Sequence, residues 1–125
     1  MSAKVLLVDD SGLARRSTRR LLEQAGYDVV EAEDGLSALE RFAVDRPDVV
    51  LLDLVMKGMY GLDVLEKLRE LDPAARVIVV SADVQTSSRE LVQAAGAAGF
   101  INKPAEPGQV IAMIEQVMKG ASPWS

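Results

Sequence analysis

The sequence lacks cysteine and histidine altogether, and these two absences exclude several kinds of site. Without cysteine the chain forms no disulfide and offers no thiolate to zinc. Without histidine it has neither a Ser-His-Asp triad nor an imidazole ligand for a metal. Side chains that bind a metal here must do so through oxygen, which favours Mg²⁺, Mn²⁺ or Ca²⁺.

Positive charge and long apolar runs are also scarce. The 125 residues carry 14 Lys and Arg against 19 Asp and Glu, a net charge of -5. This argues against nucleic acid as a partner, because phosphate binding requires a basic face. No apolar run approaches the ~20 residues that span a bilayer. The first residues lead directly into an apolar segment, so we expect no signal peptide, no membrane partner and a cytoplasmic location.

Five short apolar segments alternate with five segments of helical periodicity. The apolar segments resemble strands that are buried on both faces of a parallel sheet. They cover residues 4–8, 28–32, 49–52, 77–80 and 100–101. The helical segments cover about 13–25, 36–45, 62–71 and 108–119, with a further one that Asp83 or Thr86 could cap and that runs to about residue 95. This alternation predicts an α/β fold, a doubly wound, flavodoxin-like parallel sheet of five strands in the order 2-1-3-4-5 with helices on both faces. We expect one domain over residues 1–120 and a loose tail over 121–125.

The helical segments have apolar and charged faces. In the first helix the apolar face is predicted to contain Leu13, Ala14, Leu21, Leu22 and Ala25. In the third helix it is predicted to contain Leu62, Leu65, Leu68 and Leu71. Four arginines of the first helix form either a solvated face or a docking patch for an anionic partner; they are Arg15, Arg16, Arg19 and Arg20.

Polar side chains that could form a site follow the first, third, fourth and fifth predicted strands. They are Asp9, Asp10, Asp53, Ser81 and Lys103. In a parallel sheet these residues meet at one edge, and the first and third strands are neighbours there. Two unit charges ~4 Å apart repel by about 4 kcal/mol at an effective dielectric constant of 20. Three carboxylates therefore need a cation, a raised pKa or both, and Lys103 with a divalent ion would supply the charge.

Such a cluster is suited to attack on phosphorus. Aspartate can form an aspartyl-phosphate, while a metal and a lysine neutralise the transferring oxygens. The hydroxyl group of Ser81 can donate a hydrogen bond to the product phosphoryl group. The sequence contains neither a P-loop nor a GxGxxG motif, so it does not indicate nucleotide binding.

With these motifs the sequence resembles the receiver domain of two-component response regulators, in particular single-domain CheY-like regulators. The resemblance covers nearly the whole chain. It rests on Val8-Asp9-Asp10-Ser11, Leu51-Leu52-Asp53-Leu54, Met56, Gly58-Met59, Gly61, Ser81-Ala82 and Phe100 through Lys103-Pro104. It implies a CheY-like fold and a phosphoprotein that acts as a signalling switch, catalysing only its own phosphorylation and dephosphorylation.

The resemblance assigns the chemistry to particular residues. Asp53 would accept a phosphoryl group from a histidine kinase or a phosphotransfer protein. Mg²⁺, with Mn²⁺ as an alternative, would be held by Asp10, Asp53 and the backbone carbonyl of Val55, with Asp9 assisting through water.

The resemblance also implies how the signal is transmitted. Ser81 and Lys103 would contact the phosphoryl oxygens, and Ser81 and Phe100 would form the switch. The output surface would be helix 4, strand 5 and helix 5, which would bind a downstream protein, in chemotaxis or another pathway. We expect a monomer without an output domain of its own, with dimerisation through this surface after phosphorylation as an alternative.

The sequence departs from the family pattern beside the site. Lys57 replaces the usual Pro, Tyr60 the usual acidic residue and Phe100 the commoner Tyr. Val55 and Asp83 lie two residues beyond Asp53 and Ser81, where the family tunes the phosphoryl lifetime. Asp83 can orient water whereas Val55 cannot, so we predict slow to intermediate autodephosphorylation.

Two other functions fit the sequence less well. A phosphohydrolase of the haloacid-dehalogenase type needs an acid two residues after its nucleophile, and Asp53 is followed by Leu54-Val55. Such enzymes also carry a cap domain, for which the chain has no segment. A flavodoxin-like cofactor binder is disfavoured because no phosphate-binding loop follows the first strand.

Overall fold

The protein is described by a computed structural model over residues 2–56, 59–82 and 86–124, apart from the side chains of residues 59, 86 and 87. Five strands form the main sheet: β1 (Lys4–Val8), β2 (Asp28–Ala32), β3 (Val49–Asp53), β4 (Val77–Ser81) and β5 (Gly99–Asn102). Five helices alternate with them: α1 (Gly12–Gln24), α2 (Gly35–Asp45), α3 (Gly61–Leu71), α4 (Thr86–Ala94) and α5 (Pro107–Met118). Each predicted strand and helix is present, with bounds that differ by two residues or fewer.

The five strands are parallel and lie in the order β2-β1-β3-β4-β5. The predicted doubly wound topology is therefore confirmed. In register, Val8 lies beside Leu52, Asp53 beside Val80, and Ser81 beside Asn102. The residues that follow β1, β3 and β5 consequently project from the same edge of the sheet.

The core consists of two apolar layers, because successive side chains of a strand point to opposite faces. One layer places Leu6, Val50 and Val79 against residues of α2, α3 and α4. The other places Leu7, Leu51 and Ile78 against residues of α1 and α5. Helices thus bury both faces of the sheet, which explains why the strands are continuous apolar runs.

The predicted apolar faces of α1 and α3 are wrong at their ends. Leu13 and Leu71 are 75% and 58% exposed, and Ala25 is exposed as well. These residues lie in or beyond the first or last turn, where a helix extends past the sheet. In α3 the buried stripe includes Val64 beside Leu65, so the helix is rotated relative to the predicted face.

A short antiparallel ribbon precedes α3 and was not predicted. Val55–Met56 pairs with Met59–Tyr60. Lys57 and Gly58, which connect its strands, lie outside the described residues, as does Asp83, predicted as a cap of α4. Thr86, the alternative cap, has no described side chain.

The prediction of a loose tail is wrong for Trp124. Its Nε1 donates a hydrogen bond of 2.8 Å to the carbonyl of Ala97, and its ring packs against the core. The tail is held because a large aromatic side chain finds apolar surface and a backbone acceptor together. Within the described part of the chain, no helix combines the length and apolarity needed to cross a membrane.

Candidate functional site

The ends of β1 and β3 bring three carboxylates together. The two strands are neighbours, so Asp53 at the end of β3 lies beside Asp9 and Asp10 after β1. One carboxylate oxygen from each residue lies within 4.8 Å of the others. Asp9 is buried and the side chain of Asp53 is 12% exposed, whereas Asp10 is exposed to solvent.

Lys103 contacts two of these carboxylates. Its Nζ lies 3.2 Å from Asp53 Oδ2 and 3.4 Å from Asp9 Oδ2. Its backbone N–H donates a hydrogen bond of 2.8 Å to the carbonyl of Ser81, which ties the end of β4 to the loop after β5. Three carboxylates and one ammonium still sum to a charge of -2.

The second oxygen of each buried carboxylate is held by the backbone. Asp9 Oδ1 accepts a hydrogen bond of 2.9 Å from the N–H of Ser11, and Asp53 Oδ1 one of 3.3 Å from the N–H of Val55. Both are Asx-type contacts to the residue two positions on. These contacts orient the Oδ2 atoms of Asp9 and Asp53 towards Lys103.

The ionisation of the site reflects its burial and its excess of negative charge. Burial raises the pKa of the Asp53 carboxyl, and the charge of Asp9 adds to this, although Lys103 opposes both. Burial works to lower the pKa of Lys103, but the charges of Asp53 and Asp9 outweigh it and raise that pKa. The cluster thus holds Lys103 charged and favours an additional cation.

The donor set fits a hard divalent cation. Carboxylate oxygens are preferred ligands of Mg²⁺ and Ca²⁺, and Mg²⁺ normally keeps several of its waters. The exposure of Asp10 leaves one side of the cluster open to solvent. Asp9, Asp10 and Asp53 are therefore the residues that could hold the metal.

Gly61 has a physical role that the sequence motif did not explain. Its N–H donates a hydrogen bond of 2.7 Å to the carbonyl of Leu54. A Cβ on Gly61 would lie 2.5 Å from the backbone oxygen of Asp53 and 2.7 Å from the Cα of Leu54. A glycine is required here because α3 begins against the backbone that carries Asp53.

Two of the four arginines in α1 make structural ion pairs. Arg15 Nε lies 2.9 Å from Glu31 Oε1, and Arg19 Nη1 lies 2.6 Å from Glu31 Oε2. Arg15 Nη1 also donates a hydrogen bond of 2.6 Å to the carbonyl of Asp9. The hydrogen bond from Arg19 is the main cause of the lowered pKa of Glu31. Sequence reasoning missed Glu31, since a strand residue facing a helix has no local signal.

The other predicted site residues that the structure describes differ in their exposure to solvent. Ser81 is buried at the end of β4, directly after Val80, the register neighbour of Asp53. Phe100, in β5, is 8% exposed. The guanidinium carbon of Arg89 lies 6.0 Å from the centroid of the Phe100 ring. Val55 is 62% exposed, and Asp83 lies outside the described residues.

Comparison with known proteins decides the family. A sequence model of the family "response regulator receiver domain" matches residues 5–115. The chain belongs to the response regulator receiver domain family. This confirms the resemblance seen in the strand-end motifs.

Individual relatives agree with this assignment. The receiver domain is 36% identical to the chemotaxis protein CheY of Thermotoga maritima, over 95% of this chain and 100% of that protein. It is 35% identical to the response regulator MprA of Mycobacterium bovis, but it spans only 54% of that protein's length.

Solved structures show the same architecture. A CheY-like receiver domain protein from Methanospirillum hungatei superposes with a TM-score of 0.92 at 27% identity, over 96% of both chains. A chain from the CheX-CheY-BeF₃-Mg²⁺ complex of Borrelia burgdorferi gives a TM-score of 0.87 at 30% identity, over 92% of this chain and 88% of that one. The fold of this receiver domain is therefore CheY-like, and the family places the protein in two-component signalling.

Proposed function

We propose that Asp53 is the phosphoacceptor of a two-component phosphorelay and that its modification switches a protein-binding surface. The observation that carries the proposal is the cluster of three carboxylates within 4.8 Å, with Lys103 Nζ 3.2 Å from Asp53. Asp53 is the central member of this cluster, because it is adjacent to β1 on one side and β4 on the other.

The reaction is a phosphoryl transfer to a carboxylate oxygen. An Oδ atom of Asp53 attacks the phosphorus atom, and the bond from phosphorus to the donor's leaving group breaks. The leaving group, an imidazole nitrogen of a histidine kinase or phosphotransfer protein, keeps the electron pair. Lys103 contacts an oxygen of the transferred group, and Ser81 donates a hydrogen bond to another. The backbone contact from Val55 keeps the carboxylate oriented during the transfer.

A bound Mg²⁺ would neutralise charge on the transferring oxygens. Asp10, Asp53 and the backbone carbonyl of Val55 would hold it, with Asp9 assisting through water; Mn²⁺ would fit the same oxygen donors. This proposal is supported by the excess negative charge of the cluster and by the exposure of Asp10. It is also supported by the Borrelia CheX-CheY complex, whose related chain was solved with BeF₃ and Mg²⁺.

The proposed output depends on Ser81 and Phe100. A phosphoryl group adds about -1.5 to -2 charges, which draws Ser81 and Lys103 towards it. This shifts the equilibrium between two arrangements of α4, β5 and α5. A downstream protein, or a second copy of the chain, binds the surface formed by these elements. Val55 and Asp83 tune the lifetime of the phosphoryl group, and a chemotaxis pathway in the cytoplasm is one setting for the switch.

One assay tests the function. The protein is incubated with Mg²⁺ and acetyl phosphate, and intact mass reports the addition of one phosphoryl group. We expect modification of the wild type, none of Asp53→Asn, and normal modification of the matched control Asp63→Asn on the exposed face of α3. Modification that persists in Asp53→Asn would refute the proposal, as would steady turnover of phosphomonoesters by the wild type.

A further inference from the structure

The C-terminal segment carries the single tryptophan of the chain, and this side chain docks where α4 meets β5. Trp124 Nε1 donates a hydrogen bond of 2.8 Å to the carbonyl of Ala97, which lies in the loop between the two elements. The partly buried ring packs against the core cluster that contains Val92 and Phe100. The indole therefore has both an apolar surface and a hydrogen-bond partner.

A second contact of the tail involves Pro123. A Cβ on Gly99, the first residue of β5, would lie 3.2 Å from Pro123 Cγ and 2.7 Å from Met113 Sδ. The space that a side chain at position 99 would occupy is thus filled by the tail and by α5. Because successive residues of a strand face opposite sides of the sheet, Pro123 lies on the α5 side of β5 and Trp124 on the α4 side.

Arg89 connects the tail to the proposed switch residue. Its guanidinium carbon lies 5.4 Å from the ring centroid of Trp124 and 6.0 Å from that of Phe100. Both distances are within the range of about 6 Å for cation–π contacts. One cation on α4 therefore interacts with the tail and with β5 at the same time.

We infer that Pro123 and Trp124 form a latch across the edge strand β5, with Trp124 on the side of α4, and that Arg89 couples this latch to the phosphorylation state of Asp53. The inference rests on the proposed function. Trp124 has one anchor beside β5, the carbonyl of Ala97, and another on α4, the guanidinium of Arg89. Because the same guanidinium also lies 6.0 Å from the Phe100 ring of β5, its position over Trp124 depends on the arrangement of α4 and Phe100.

A shift of α4 or Phe100 after modification of Asp53 separates the two anchors and weakens docking of the tail. The coupling is reciprocal, so the docked tail must disfavour modification by the same factor. An exposed cation–π contact changes an equilibrium about two- to fivefold. Release of the latch uncovers part of the proposed output surface, so the downstream partner and Trp124 compete for this face.

The single tryptophan makes the latch directly measurable in the full chain. Indole emission and acrylamide quenching are recorded with Mg²⁺, before and after addition of beryllofluoride, while ¹⁹F NMR reports beryllofluoride bound at Asp53. When beryllofluoride binds, we expect a red shift of the indole emission and at least a doubling of its quenching by acrylamide. Arg89→Met should show red-shifted and more strongly quenched emission even without beryllofluoride. The matched variant Arg41→Met on α2 should not. Trp124→Ala should bind beryllofluoride about two- to fivefold more tightly than the wild type.

The outcomes separate the latch from the proposed function. Bound beryllofluoride with unchanged tryptophan emission and quenching would overturn the coupling and leave the proposed function standing. Equal affinities of the wild type and Trp124→Ala for beryllofluoride would also overturn the coupling, independently of the fluorescence. If ¹⁹F NMR detects no bound beryllofluoride, the proposed function fails and the coupling fails with it.

Discussion

Replacing Asp53 by asparagine should stabilise the metal-free protein, even though it removes an ion pair with Lys103. At an effective dielectric constant of 20, the attraction over 3.2 Å amounts to about 5 kcal/mol. Repulsion from Asp9 at 4.8 Å or less is about 3.5 kcal/mol or more, and exposed Asp10 adds about 1 kcal/mol. The charge interactions therefore nearly cancel, and the burial of the carboxylate decides the sign.

The direction of the pKa shift leads to the same expectation. Because the folded-state pKa of Asp53 is raised, its contribution to stability is present below the unfolded pKa and is lost as the pH rises through the folded pKa. At about pH 7 in EDTA, the free energy of unfolding of Asp53→Asn should therefore be higher than that of the wild type. The difference should shrink as the pH falls towards about 4.

Urea denaturation provides the measurement. A gain of about 1 kcal/mol moves the midpoint by about 0.5 M for a domain of this size. The matched variant Asp28→Asn, exposed at the opposite end of the sheet, should leave the midpoint nearly unchanged. Mg²⁺ should reverse the order, since a ligand at 100 times its Kd adds about 2.7 kcal/mol to the wild type. A metal-free Asp53→Asn protein that is less stable than the wild type at neutral pH would show that the attraction to Lys103 dominates.

Three further substitutions test other parts of the site. Lys103→Met should cost about 2 kcal/mol in EDTA, because it leaves buried carboxylates without their cation, and should slow phosphoryl uptake about 100-fold in the mass assay. Gly61→Ala should cost about 1–3 kcal/mol in urea, because its Cβ would overlap the backbone of Asp53. Glu31→Gln should cost about 1 kcal/mol at neutral pH. The pKa of Glu31 is lowered, so this contribution is present above the unfolded pKa and is lost as the pH falls through the folded pKa.

Each substitution has a matched control. Lys67→Met on the exposed side of α3 should change neither stability nor phosphoryl uptake. Gly108→Ala in α5 meets open space, so it should be neutral or stabilising by up to about 1 kcal/mol. Glu40→Gln on the exposed side of α2 should show no comparable loss. If a substitution and its control behave alike, the contact assigned to that residue does not contribute.

The sheet could be predicted from the sequence because its strands are buried on both faces. Continuous apolar runs such as 49–52 are short and end on a polar residue, so they mark both the strand and its carboxyl end. Once the strand order is known, Asp9, Asp53 and Lys103 must lie at one edge. Helix ends were less predictable, as Leu13 and Leu71 show: periodicity identifies an apolar stripe but not where the sheet stops covering it.

The sequence by itself determined the fold class, the family and the set of polar residues at the carboxyl edge of the sheet. These follow from local patterns, namely runs of apolar residues and the residue types that end them. Only the tertiary structure decided which groups meet across distant segments. It paired Arg15 and Arg19 with Glu31, seated Gly61 against the backbone of Asp53 and docked Trp124 beside Phe100. Such contacts depend on side-chain packing between elements far apart in the chain, which no periodicity within one element records.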